Sequence, residues 1–190
     1  MLYLLDANIL ITANSSYYPI DQVPEFWSWL RYQGAAGRVK IPLEIMEEVR
    51  EGRKDPLIDW ISQHENADAL LFDEIVDAVL VQRVVSIGYA DDLTDDEVEK
   101  IGRDPFLIAY ALFNPSERCI VTTEVSRPSA QRQNRKIPMY AVRSACNVAG
   151  RSFSTEILDF TRAGGSVAVS RLENSIELSR TAVSCCVSHR

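Results

Sequence analysis

No apolar run in this chain is long enough to cross a bilayer, which excludes a helical membrane span. The apolar residues 1–13 are interrupted by Asp6 and preceded by no basic residue, so they make a poor signal peptide, and a cytoplasmic protein is expected. Histidine is scarce: His64 and His189 are the two. The four cysteines, Cys119, Cys146, Cys185 and Cys186, form no C-x-x-C pair. Together these shortages argue against structural zinc and for reduced thiols. No G-x-x-x-x-G-K-[ST] loop or G-x-G-x-x-G fingerprint occurs, so a nucleotide cofactor has no support. The last absence is local. The net charge is −7, yet residues 125–155 contain no Asp or Glu, while holding Arg127, Arg132, Arg135, Lys136, Arg143 and Arg151. For binding a phosphate backbone, that local field counts for more than the total.

What is present suits one domain. A chain of 190 residues, 46% apolar and 25% charged, can bury a sizeable core. Leu2–Leu5 reads as a buried parallel strand ending at Asp6. Residues 24–34 read as a helix stopped by Gly34, and 39–41 as a second strand. Pro42 then opens a helix as a first-turn proline, running to about Glu51, and Asp55-Pro56 opens another. Residues 69–72 suit a short strand or a helix lead-in. Residues 75–87 have helical periodicity, with Ile75, Val79 and Val84 as core candidates. Thr94-x-x-Glu97 is a capping-box pattern. Asp104-Pro105 opens an apolar helix over 106–113, and 119–121 is the clearest later strand. Residues 128–136 form a polar loop and 137–140 a strand or turn. Two short helices follow, the second over about 155–162. Strands alternating with helices predict an α/β domain with a central, mostly parallel sheet covered on both faces. The domain is expected over residues 1–165, with 166–190 as a C-terminal tail.

In parallel α/β sheets, sites form beyond the carboxyl ends of the strands. Two strands here run into acids, at Asp6 and at Glu124, and two helix starts carry Glu48 and Asp104. If these four converge, their carboxylates repel one another, and a divalent cation relieves the repulsion. Oxygen ligands favour Mg2+ or Mn2+, which activate water and stabilise charge on a phosphate.

The stretches LYLLDANILI, IPLEIMEEV, DPFLIAYAL and IVTTEVS, in that order over about residues 1–163, resemble the PIN-domain ribonucleases, including the VapC-type toxins of toxin–antitoxin pairs. The resemblance implies a three-layer α/β/α fold and a metal-dependent endoribonuclease. It implies Asp6, Glu48, Asp104 and Glu124 as the site acids, with Asp6, Asp104 and Glu124 on the metal and Asn8 and Thr122 in support. It also implies an RNA substrate, an antitoxin partner and a homodimer. Glu124 stands where the family commonly has Asp. Glu44, one turn before Glu48, is an alternative second acid. Arg132, Arg135 and Lys136 are the candidate RNA-binding residues.

Each residue also has a plainer reading. Asp6 and Asp104 can be helix caps, and Glu47, Glu48 and Glu51 a solvated helix face. Phe26, Trp27, Trp29 and Tyr32 suit a core or dimer face better than a base-stacking platform. Asp91, Asp92, Asp95, Asp96 and Glu97 suit a solvated loop and helix start, and His64 a surface position. Two rivals to the nuclease remain. A phosphotransfer domain would want a second Asp where Asn8 stands, or a lysine closer to the later strand than Lys136. A non-catalytic interaction protein would keep the scaffold with a degenerate site.

Overall fold

The computed structural model describes residues 1–52, 55–125, 127 and 129–137, and the backbone of 147–149. Its strands are β1 (Leu2–Leu5), β2 (Val39–Pro42), β3 (Leu71–Phe72), β4 (Arg118–Val121) and β5 (Asn147–Ala149). Among the described residues they form a five-stranded sheet in the order β3-β2-β1-β4-β5, and every pairing is parallel. The sheet is flanked by helices in the expected three-layer α/β/α arrangement. They are α1 (Ala7–Thr12), α2 (Pro24–Ala35), α3 (Leu43–Glu51), α4 (Pro56–Ile61), α5 (His64–Leu70), α6 (Ala78–Arg83), α7 (Asp95–Ile101) and α8 (Asp104–Phe113). The chain leaves β1 toward β2 on one side and returns to β4 on the other. The carboxyl end of β1 is therefore the switch point of the sheet, where such folds open a crevice.

Continuous apolar strands fit burial on both faces. Leu4, Ile41, Ile120 and Val121 are fully buried, and the apolar α8, in which Leu107, Ile108 and Ala111 are also fully buried, packs against β4. Phe26 and Trp27 are core residues, with the Trp27 indole donating to the Tyr18 carbonyl at 2.8 Å, whereas Tyr32 is exposed. His64 lies on the surface, paired with Asp68 one turn on.

Several sequence expectations need correcting. Gly34 does not stop α2, which runs through it to Ala35. A Cβ there would sit 2.7 Å from the Ala69 carbonyl, so the glycine lets α5 approach closely. Pro42 ends β2 instead of opening a helical turn, and α3 begins after it. The helix expected over 75–87 starts later. The Asp77 carboxylate caps the amides of Val79 and Leu80, α6 is short, and a wider π-type segment (Val84–Tyr89) follows. Ile75 and Val79 are accordingly 100% and 73% exposed and not core, while Val84 is buried. Strand β5 was not foreseen. Apart from Ile137, the strand or turn expected over 137–140, both later helices, the boundary at 165, the tail 166–190, and Cys146, Cys185 and Cys186 lie outside the described residues. Cys119 is buried. No described helix is long and apolar enough to cross a membrane.

Candidate active site

Asp6 follows β1 directly and is 2% exposed. Its amide donates to the Val121 carbonyl at 3.0 Å, which extends the β1–β4 pairing past the strand end. Its side chain is held by several donors. The Thr122 hydroxyl donates to Oδ2 at 2.6 Å, the Asn8 side-chain amide donates to Oδ2 at 3.3 Å, and the Asn8 backbone amide caps onto Oδ1 at 3.5 Å. Asp6 is thus both a helix cap and a site carboxylate. The hydrogen bonds from Asn8 and Thr122 fix its orientation. Thr122 also accepts from the Glu124 amide at 3.0 Å, tying the next acid to the same hydroxyl.

Glu124 points inward, with its side chain 9% exposed. Its two oxygens accept from the Lys136 ammonium and, at 3.2 Å, from the Ile137 amide. Asp104 is the first residue of α8, and Arg103 holds the cap position, so Asp104 is not the N-cap that Asp-Pro suggests. Gly102, with φ of 64°, turns the chain sharply between α7 and α8 and brings this pair into place. Arg103 fastens the turn to α3. It donates to the Glu44 carbonyl at 2.6 Å, to Glu47 at 3.0 Å and to Glu51 at 2.7 Å. Sequence reasoning missed this residue. Its signal was a lone cation beside Asp104, facing a glutamate-rich helix.

The face of α3 therefore divides by function. Glu47 and Glu51 hold Arg103, and Glu44 accepts weakly from the Tyr110 hydroxyl at 3.4 Å. Glu48 is the acid on this helix whose charge meets Asp6 and Glu124. The electrostatics of the four acids agree with convergence. Burial, followed by the charges of Asp6 and Glu124, pushes the Asp104 carboxyl up to about 8, with Lys136 pulling the other way. Burial also raises Asp6, against the Thr122 and Asn8 hydrogen bonds and with help from Glu124. Glu48 is raised by burial and by Asp6, and Arg103 opposes this.

Among the described residues, no three carboxylate, thiolate or imidazole groups close around a ready-made cation cage. The donor chemistry nevertheless fits a hydrated Mg2+ or Mn2+, which keeps several waters and takes few carboxylates directly. Asp6 and Asp104 are the residues that would hold it, with Glu124 reaching it once free of Lys136.

The candidate RNA-binding residues are already engaged. Arg132 makes a bidentate pair with Glu97, at 2.6 and 2.7 Å, and a further pair with Asp92 at 2.7 Å. Arg135 donates to the Gly88 carbonyl, and Lys136 pairs with Glu124. Asp92 and Glu97 are thus more than a solvated loop and helix start. They anchor the basic loop, while the Thr94–Glu97 capping box forms as expected.

One family model, described as Domain of unknown function (DUF4411), matches residues 3–149. No curated protein matches the chain, and no solved structure does.

Proposed function

We propose that this chain, which belongs to the DUF4411 family, is a divalent-metal-dependent endoribonuclease. The observation that carries the reading is Asp104. It stands half-buried at the start of α8, and desolvation together with the charges of Asp6, Glu124 and Glu48 holds it near 8, which is negative charge in excess of the nearby cations. A bound Mg2+ or Mn2+ would supply a Lewis acid and lower the pKa of a coordinated water. Asp6 is the preorganised ligand, since the Thr122 hydroxyl and the Asn8 amide fix its carboxylate before anything binds. Asp104 completes the hold from the start of α8. Glu48, open to solvent on α3 and with a raised proton affinity, suits a base taking a proton from the attacking water. The basic loop after Glu124 stands beside the same site and suits the RNA backbone. The PIN-like resemblance extends the reading to a cytoplasmic toxin acting as a homodimer and held in check by an antitoxin protein.

One observation favours a second reading, a non-catalytic interaction protein: Glu124 is already neutralised by Lys136. Cleavage of a labelled single-stranded RNA separates the two. The purified protein is expected to cut with Mg2+ or Mn2+ and to stop in chelator. Asp6→Asn is expected to lower the rate by about a thousandfold or more, roughly 4 kcal/mol of barrier, while keeping the fold. Undiminished cleavage by Asp6→Asn, or in chelator, would overturn the nuclease mechanism.

A further inference from the structure

The segment after β4 leaves the site at Glu124 and returns to it with a cation. At its far end the Lys136 ammonium and the Ile137 amide both donate to the Glu124 carboxylate, and Ile137 itself is fully buried. Between these ends the loop is pinned from outside. Arg132 is held by Glu97 and Asp92 beside α7, and Arg135 by the Gly88 carbonyl. Arg132 adopts a φ of 51°, a left-handed conformation that a non-glycine residue enters only when its surroundings hold it there. A surface lysine is ordinarily free to sample rotamers in water. This one is delivered to a fixed place beside Glu124, with its charge also acting on Asp104 and Asp6.

We propose that Lys136 is a built-in counter-cation of the carboxylate site, which holds Glu124 while the site lacks metal and is displaced from it when a divalent cation binds. The proposal rests on the metal-site reading above. An ammonium and a divalent ion repel each other, and both draw on the same Glu124 oxygens, so they compete for them. Lys136 is thus a positioning residue. It keeps a buried acid from standing unpaired, and it sets how much free energy an entering ion must spend on eviction. The arginine clamps make the loop a strap, and loosening the strap weakens the lysine's hold.

The test is a calorimetric Mn2+ titration, with thermal melts, of the full chain as wild type, Lys136→Met, Arg132→Met and Asp6→Asn. Lys136→Met is expected to bind Mn2+ about tenfold or more tighter than wild type, because nothing must be evicted. Its metal-free Tm should fall, and its Mn2+-induced rise in Tm should exceed that of wild type. A merely structural lysine would give the opposite sign, since a Glu124 no longer held in place would bind metal more weakly. Arg132→Met keeps every site acid and Lys136 itself. It should tighten binding by a smaller factor, and it carries the test if Lys136→Met fails to fold. Equal or weaker Mn2+ binding in the folded variants overturns the proposal while leaving the metal site standing, provided Asp6→Asn loses the ion. If neither wild type nor the folded variants bind Mn2+, the metal-site reading falls and the proposal falls with it.

Discussion

Glu97 and Asp104 are two acids on neighbouring helices that the fold treats in opposite ways. Glu97 faces the Arg132 guanidinium and the Thr94 cap, which together hold its carboxyl down at about 2. Asp104 is driven up to about 8 by burial and by Asp6, Glu124 and Glu48. The first is a completed ion pair whose role is to fix a loop. The second belongs to a group that the sheet topology gathers without enough positive charge. Glu47 and Glu51, matched to Arg103, belong with the first kind. Acidity alone therefore marks nothing in this chain, whose acids outnumber its Lys and Arg by 27 to 20. What distinguishes the site is acids that the fold brings together and leaves short of partners.

The sharpest way to break that contrast is pH. A carboxyl raised in the folded chain keeps its proton at pH values where the unfolded chain has released it. Folding then takes up a proton, and metal-free stability falls as pH rises from about 4 to about 8. Asp104→Asn is expected to remove much of this slope. The variant should match wild type near pH 4 and melt several degrees higher at pH 8. Glu97→Gln should do the reverse. Glu97 contributes stability that is present above its unfolded pKa and lost as pH falls toward about 2, so the variant should melt lower at neutral pH, with the gap closing in acid. Thermal melts across this range check both, and curves running parallel to wild type would remove the distinction.

A smaller effect is expected in RNA binding. Replacing Arg132, Arg135 and Lys136 with Gln, in an Asp6→Asn background that cannot cleave, should flatten the salt dependence of binding. Three free cations would change the slope by about 2, at about 0.7 each on single strands. Arg132 and Lys136 are already matched by carboxylates, so a change of about 0.7 is expected, the share of Arg135. An RNA titration at several salt concentrations reads this directly. An unchanged slope would mean that the loop does not meet RNA.

Much of this arrangement was legible in the sequence because it depends on local signals. The run into Asp6, the Asp-Pro before the apolar α8 and the strand into Thr122 gave the sheet order a frame and pointed to Asp6, Asp104 and Glu124. Thr94 and Glu97 gave their capping box. The unread parts depend on distance along the chain. Nothing near Arg132 announces Glu97, 35 positions earlier, and nothing near Arg103 announces Glu47 and Glu51. Apolar periodicity misled over 75–87, because the Asp77 cap starts α6 after Ile75 and leaves apolar side chains facing solvent. Gly34 gave a stop signal where the need was a close approach between helices. The ambiguity between Glu44 and Glu48 lay in which face of α3 turns toward Asp6, a matter of packing that spacing alone does not resolve.

The central claim is that the acids gathered around Asp6 form a cation site and that the acids paired with arginine, such as Glu97, do not. Its most direct test is Mn2+ binding by calorimetry to wild type, Asp6→Asn and Glu97→Gln, compared at one pH. The account predicts a single site in wild type and in Glu97→Gln, and its loss in Asp6→Asn. Equal binding by all three proteins, or by none, would contradict it.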